Sequence, residues 1–259
     1  MNRDWHIHSN YSDSNRSIKE IVEIAIKNNL HSIAITDHDS VNNLDEINKT
    51  ESGQLIIHPG IEISAWDPKI KKEVHILAYQ FNIEATNIKA IYESTIKQRN
   101  EIAYQQISLL HDLNFKITVE EVESKKGNSP CLYKQHILDV LKEKGYTDKI
   151  YGDFYKEMFK NGGPCEIKPQ LPHIKEVIHS IHEDYGFAIL AHPFLSKCET
   201  ELERYKRYGI DGIETYHSSQ TKENIETCNE IAKQFEWLET GGSDNHGNYG
   251  NEPEIGSYF

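Results

Sequence analysis

Short apolar runs alternate with amphipathic stretches over the first third of the chain. Asp4 to Ser9 reads as a short strand. Ile18, Ile21, Val22 and Ala25 recur at helical spacing. Ser17 opens that helix, with Glu20 three residues on at the spacing of a capping box. Ser32 to Thr36 is a second strand of apolar, β-branched type. Leu55 to Ile57 and Ile61 to Ser64 read as strand pieces around a Pro59-Gly60 turn, and Glu73 to Tyr79 as another strand.

The pattern then changes. From about Glu84 to Tyr185 it is helical, with a long polar segment from Ile88 to Leu113 that carries an apolar stripe. Gly127-Asn128-Ser129-Pro130 and Gly162-Gly163-Pro164 read as loops. Alternation returns with strands at Phe187 to Ala191, Gly212 to Tyr216 and Trp237 to Gly241, and helices at Cys198 to Tyr208 and Lys222 to Phe235. Strands alternating with helices predict a parallel sheet. About seven strand signals, and no glycine-rich dinucleotide fingerprint after the first, favour a barrel over an open sheet. The expected organisation is a barrel from 1–83 and 186–259, with a mostly helical insertion at 84–185 covering the active site.

Composition narrows the function. With 28 Lys+Arg against 41 Asp+Glu, the formal charge of −13 argues against a broad basic face for duplex nucleic acid. It leaves room for a small anion held by metals, which invert the local field. No apolar run approaches a membrane span. A strand starting at Asp4 leaves no room for a signal peptide, so a cytoplasmic protein is expected. The four cysteines, Cys131, Cys165, Cys198 and Cys228, have no C-x-x-C spacing and read as reduced thiols.

Fourteen histidines change the picture more. His6 and His8 lie two apart on a strand and so share a face, the barrel interior, with Trp5 and Ile7 turned to the helices. Alone, this H-x-H serves equally as a structural pair or as metal ligands. It is accompanied by Asp13 in the first loop, His38 at the end of the second strand, Glu62, His75, His192 at the end of a later strand, and Asp244 and His246 after the last. Barrel chemistry gathers at the C-terminal ends of strands. Nine candidates are too many for one catalytic ion, which takes about three protein ligands. They fit three, with Glu62 as the bridge, and their imidazole and carboxylate mix suits Mn, Fe or Zn rather than Ca or Mg.

The motifs His6-Ile7-His8-Ser9, Ser12-Asp13, Ile35-Thr36-Asp37-His38-Asp39, Pro59-Gly60-Ile61-Glu62-Ile63-Ser64, His75, Ala191-His192-Pro193, Gly212-Ile213-Glu214 and Gly242-Ser243-Asp244-Asn245-His246-Gly247 resemble, in order and nearly end to end, the PHP (polymerase and histidinol phosphatase) family. The resemblance implies an α/β fold, a distorted (β/α)7 TIM-like barrel with a helical insertion. It also implies a trinuclear metal centre that hydrolyses phosphate esters, with the nine residues on the ligand positions.

Within the family, the chain resembles phosphatases of nucleoside 3′,5′-bisphosphates and short-RNA 5′-exonucleases. Their insertion motif, similar to G-R-P-H-I-A-R-A-L, corresponds to Tyr133 to Leu141. His136 is kept there, Lys134 stands for the first arginine and Asp139 for the second. Lysine binds phosphate as a point charge, and Asp139 would repel it, so phosphate recognition is expected to be altered. Arg99, Lys134 and His136 are the expected phosphate ligands, and His217 the candidate for protonating a leaving group. The expected substrate is a small phosphate ester. Histidinol-phosphate phosphatase, cyclic sugar-phosphate phosphodiesterase and a catalytically silent binding module are the rivals.

Overall fold

The apolar runs assemble into one seven-stranded sheet in sequence order, in a computed structural model that describes residues 2–250 and 253–257. The strands are β1 (Arg3–Ile7), β2 (Ser32–Ile35), β3 (Ile56–Asp67), β4 (Lys72–Tyr79), β5 (Phe187–Leu190), β6 (Gly212–His217) and β7 (Leu238–Gly242). The end of β7 returns to β1. Asn245 bridges Ile7, the His8 amide donates to the Asn245 carbonyl at 3.0 Å, and the Asp244 amide to the His6 carbonyl at 2.8 Å. The result is a nearly closed, distorted α/β barrel.

The expected parallel sheet is broken in one place. β3 and β4 form an antiparallel pair, and β4 is also antiparallel to β5. The expected Pro59-Gly60 turn is absent, because β3 runs through both residues as a single strand. Glycine is what allows this, since a Cβ at Gly60 would sit 2.7 Å from Thr36 Cγ2 and 3.2 Å from the Ile35 carbonyl. The reversal has a consequence for chemistry. An antiparallel β4 brings its first half, with His75, to the end of the barrel where the parallel strands finish.

β1 departs from strict alternation. An irregularity in its register lies between Asp4 and Ile7. Ile7 packs with helix α1 (Ile18–Lys27), as expected, but Trp5 packs with Ala34, Leu77, Tyr79, Ile189 and Ala191. The Ser17–Glu20 capping box that starts α1 is formed on both sides.

Helix α2 (Leu44–Lys49) follows β2, and the segment between β4 and β5 holds five helices among the described residues. These are α3 (Thr86–Asp112), α4 (Val119–Glu123), α5 (Lys134–Glu143), α6 (Asp153–Phe159) and α7 (Ile174–Glu183). They divide between two apolar clusters. Ile88 and Tyr92 of α3, and Ile174, Val177, Ile178 and Ile181 of α7, join the core around the sheet. The far half of α3 packs with α5 and α6 in a separate core from Ala103 to Cys165, closed by Tyr249. Helices α8 (Leu202–Tyr208) and α9 (Lys222–Phe235) complete the shell. All four cysteines are buried free thiols. Among the described residues no helix is long and apolar enough to cross a membrane.

A buried ion pair fixes the far end of β3. Asp67, fully buried, accepts from Arg204 and from the Tyr205 hydroxyl, while Arg204 also donates to Glu201 at 2.8 Å. Removing one partner of such a pair leaves the other charge uncompensated. Because Arg204 keeps Glu201, Asp67→Ala should cost about 2–3 kcal/mol, read as a fall in Tm with metal content unchanged. An unaltered Tm would remove the pair from the stabilising interactions.

Candidate metal centre

The strand ends deliver their side chains to one point, and Glu62 is at its middle. Its Oε1 lies 2.9 Å from both His75 Nδ1 and His192 Nε2. Its Oε2 lies 3.1 Å from His38 Nδ1, 3.2 Å from His6 Nε2 and 3.3 Å from His8 Nε2. One carboxylate therefore faces five imidazoles, two on one oxygen and three on the other. Asp244 stands opposite, with Oδ1 at 3.2 Å from His6 Nε2 and 3.0 Å from His8 Nε2. Asp13 forms the third corner, 3.5 Å from His246 Nε2, 3.7 Å from His8 Nδ1 and 3.9 Å from His38 Nε2. The structure thus brings all nine of His6, His8, Asp13, His38, Glu62, His75, His192, Asp244 and His246 into one connected cluster.

Local features hold these side chains in place. Asp37 ties down the first loop by accepting from the Ser9 amide and hydroxyl, the Ser12 hydroxyl and Asn43, at 2.6 to 2.7 Å. That loop carries Asp13. His192 and Asp244 sit at positive φ, 25° and 56°, a conformation that side chains rarely adopt and that recurs at functional sites. Gly242 lets β7 press against β1, since a Cβ there would collide with the backbone and Cβ of His6.

The electrostatics match a cation cradle. Burial pushes the Glu62 carboxyl up, but His75, His38 and His6 outweigh it and hold the group well below its usual range. Asp244 is held well down in the same way by His6 and His246. Burial pulls His6 and His75 down, yet the facing carboxylates raise both rings well above an ordinary imidazole. Burial dominates at His38, which falls to about 4. Five buried atoms of the cluster lack a hydrogen-bond partner: His6 Nε2, His8 Nδ1, Asp13 Oδ1, His38 Nδ1 and Glu62 Oε2. Buried polar atoms are rarely left so. Lone pairs and carboxylate oxygens that converge without hydrogen-bond geometry fit divalent metals.

Glu214 also joins the cluster, although the sequence motif attaches no role to it. It is fully buried on β6. Its Oε1 lies 2.9 Å from His6 Nδ1, and its Oε2 accepts from the His192 amide at 2.9 Å. It therefore fixes the His6 tautomer so that Nε2 points into the cluster. The available signal is an inward carboxylate within a barrel strand.

The expected substrate residues divide. A cavity of about 140 Å³ opens on the cluster and is lined by Asp13, His38, His75, Arg99, Tyr133 and Lys134, with Tyr151 and Tyr155 as walls. Arg99 reaches it while donating to Asp39 at 2.8 Å and Ser64 at 2.9 Å. Lys134, the first residue of α5, also reaches it, and burial pulls its ammonium down to about 8. His136 does not line this cavity. It is fully buried, and its Nδ1 accepts from the Tyr133 amide at 3.1 Å to cap α5. Asp139 is absent from the lining too, so the expected repulsion does not arise there; it pairs with Lys125 at 3.2 Å. His217 lies behind Asp244. The Ser219 amide donates to its Nδ1, and its Nε2 meets Asp244 Oδ2 at 3.3 Å. Gln135, unremarked in the sequence, contacts Asp13 at 2.6 Å.

Comparison with known proteins adds four findings. The PHP domain model matches residues 4–213. A phosphoribosyl 1,2-cyclic phosphate 1,2-diphosphodiesterase of Eggerthella lenta is 31% identical over 99% of this chain and 98% of its own. A 5′-3′ exoribonuclease of Haemophilus influenzae is 26% identical over 94% of this chain and 89% of its own. Among solved structures, a protein of Bifidobacterium adolescentis assigned as a metal-dependent phosphoesterase superposes with a TM-score of 0.90 at 27% identity, covering 99% of this chain and 91% of that one.

Proposed function

The chain belongs to the PHP domain family and is a metal-dependent phosphoesterase, and from that premise we propose that it hydrolyses a cyclic phosphodiester on a small sugar and then the resulting monoester. The supporting observation is the size of the cavity over the cluster, about 140 Å³ and walled by Tyr133, Tyr151 and Tyr155. It suits a sugar phosphate better than a polynucleotide chain. The name of the Eggerthella lenta relative, which aligns over nearly the whole of both chains, points the same way.

In this reading the nine clustered residues would hold divalent ions of Mn, Fe or Zn type, three by the number of ligands, with Glu62 the carboxylate shared among them. Bound metals supply a water nucleophile at neutral pH and Lewis acidity toward the phosphoryl oxygens. The chain supplies the rest. Glu214 keeps His6 Nε2 aimed inward, and His217 orients Asp244 rather than serving as an acid in the open cavity. Arg99 and Lys134 meet the substrate's anionic oxygens, which is where most stabilisation in phosphoryl transfer is needed. Residues 84–185 form the cover that limits the cavity. The two cleavages use one water each; the first opens the ring to a monoester and the second releases orthophosphate.

The test is a substrate comparison. Metal-replete protein should show at least about tenfold higher kcat/KM on phosphoribosyl 1,2-cyclic phosphate than on adenosine 3′,5′-bisphosphate, a difference of about 1.4 kcal/mol in transition-state binding. The reverse order would assign the chain to nucleotide substrates, as the exoribonuclease relatives suggest. Glu214→Gln removes the charge facing His6 and should lower metal affinity by about 10–100-fold, as outer contacts to ligating histidines generally do. Titration of the stripped variant with Mn²⁺ measures this, and a wild-type isotherm would make Glu214 a packing residue.

A further inference from the structure

The metal cavity adjoins a second, smaller one of about 60 Å³, and the two share Glu73, Arg99, Tyr133 and Lys134. Lys160, after α6, and Lys168, in the loop leading to α7, line the second cavity from another side. Four cations therefore surround it in a chain with 28 basic and 41 acidic residues. Two of them are already committed. Arg99 is paired with Asp39 at 2.8 Å, and Lys168 with Glu166 at 2.9 Å. Glu73 is engaged with His75 at 3.5 Å. Lys134 and Lys160 make no side-chain hydrogen bond or ion pair among the described residues, and Lys160 lies 6.0 Å from the centre of the Tyr155 ring.

We propose that this smaller cavity is an anion subsite that holds the non-scissile phosphate of a sugar phosphate while the scissile phosphate sits at the metal cluster. The inference rests on the sugar-phosphate reading above and deepens it by assigning the residues that hold the substrate's second phosphate. Size supports a phosphate. A volume of about 60 Å³, several times the roughly 10–15 Å³ that one water needs by the same measure, leaves room for a tetrahedral anion. Charge supports it as well. Burial and the neighbouring Arg99, Lys160 and Lys168 depress the Lys134 ammonium, with Glu73 opposing, and an incoming dianion would relieve that repulsion. Lysines act here as point charges on flexible stems, which suits a rotating terminal phosphate better than a planar carboxylate. Lys134 and Arg99 border both cavities, so they place the two phosphates on opposite sides of one pair of cations.

The experiment compares two ligands that cannot be hydrolysed, butylphosphonate and butane-1,4-bisphosphonate, binding to the metal-loaded protein. The wild type should bind the bisphosphonate at least about tenfold more tightly, the order expected for charge-assisted contacts. The double variant Lys160→Gln/Lys168→Gln should bring the ratio close to one without changing butylphosphonate affinity. Both positions are exposed, and Lys160→Arg/Lys168→Arg, which keeps the charges, should retain the preference. Equal affinity for the two ligands in the wild type, or a preference that survives the glutamines, would overturn the subsite. Butylphosphonate binding that persists after chelation would instead count against the metal-centre reading, while the ratio still decides the subsite.

Discussion

Replacing Glu62 with glutamine should lower kcat/KM by roughly a thousandfold or more, with the fold intact. Glu62 faces His38, His6 and His8 on one oxygen and His75 and His192 on the other. The amide keeps the shape but loses the charge and one acceptor. Its NH2 would point at imidazole lone pairs or at a cation. The change therefore removes the one carboxylate that faces five imidazoles of the cluster. The measurement is steady-state kinetics with metal content and circular dichroism on the same sample. A variant with wild-type kcat/KM would exclude Glu62 from the centre. A variant that is unfolded would say nothing of catalysis, so Glu62→Asp, which keeps the charge and shortens the reach, should fold and retain an intermediate activity.

Stripping the metals should cost far more stability than the loss of any one side chain of the cluster, and should reverse the effect of pH. Ligand at a thousand times its Kd stabilises by about 4 kcal/mol per site. Three sites would then contribute on the order of 10 kcal/mol, lowering Tm by roughly 20 °C or more for a chain of this size when removed.

The pH effect follows from the shifts in the metal-free cluster. His6, His8 and His75 are raised by their carboxylates, His8 to about 10. Their stabilisation is complete below the unfolded imidazole pKa of about 6.5 and is lost as pH rises through the folded value. Glu62 and Asp244 are lowered, so their contribution is present above the ordinary carboxylate range and lost as pH falls through the folded values. His38 and His192 are lowered too, and contribute fully above about pH 7. Lys134, depressed to about 8, and the four buried thiols, raised by burial, titrate in both forms and drop out of the comparison. Within the cluster only the raised histidines change between about pH 7.5 and 9.5, so stripped protein should lose Tm through them as pH rises. Loaded protein should not, because metals bind the deprotonated rings. Parallel Tm curves for the two forms would contradict the assignment of these histidines as ligands.

Much of this site was legible because its residues combine local chemistry with strand periodicity. His6 and His8 share a face by the two-residue repeat of a strand, and the Ser17–Glu20 cap and the bounds of α9 follow from side-chain identity alone. What failed depended on contacts distant in sequence. Pro59-Gly60 has the composition of a turn, yet the approach of Thr36 makes the glycine a spacer within a continuous strand. The direction of β4 is set by its pairing with β3 and β5, so the placement of His75 at the site could not be read from its position along the strand. Trp5 follows an irregular register rather than strict alternation. Glu214 belongs to the Gly212-Ile213-Glu214 motif, but only the fold shows that it meets both His6 and His192. His136 and Asp139 were placed by motif correspondence. The turn of α5 sends the first into a helix cap and the second to Lys125.

The number of metals per chain tests the account most directly. Anomalous scattering from crystals of metal-replete protein, with elemental analysis of the same preparation, should give three sites. The expected ligands are His6, His8, Glu62 and Asp244 around one, Glu62, His75 and His192 around the next, and Asp13, His38 and His246 around the third, with Glu62 touching two. A single site with stoichiometry near one, in protein that retains full phosphoesterase activity, would contradict the trinuclear centre and the bridging role of Glu62.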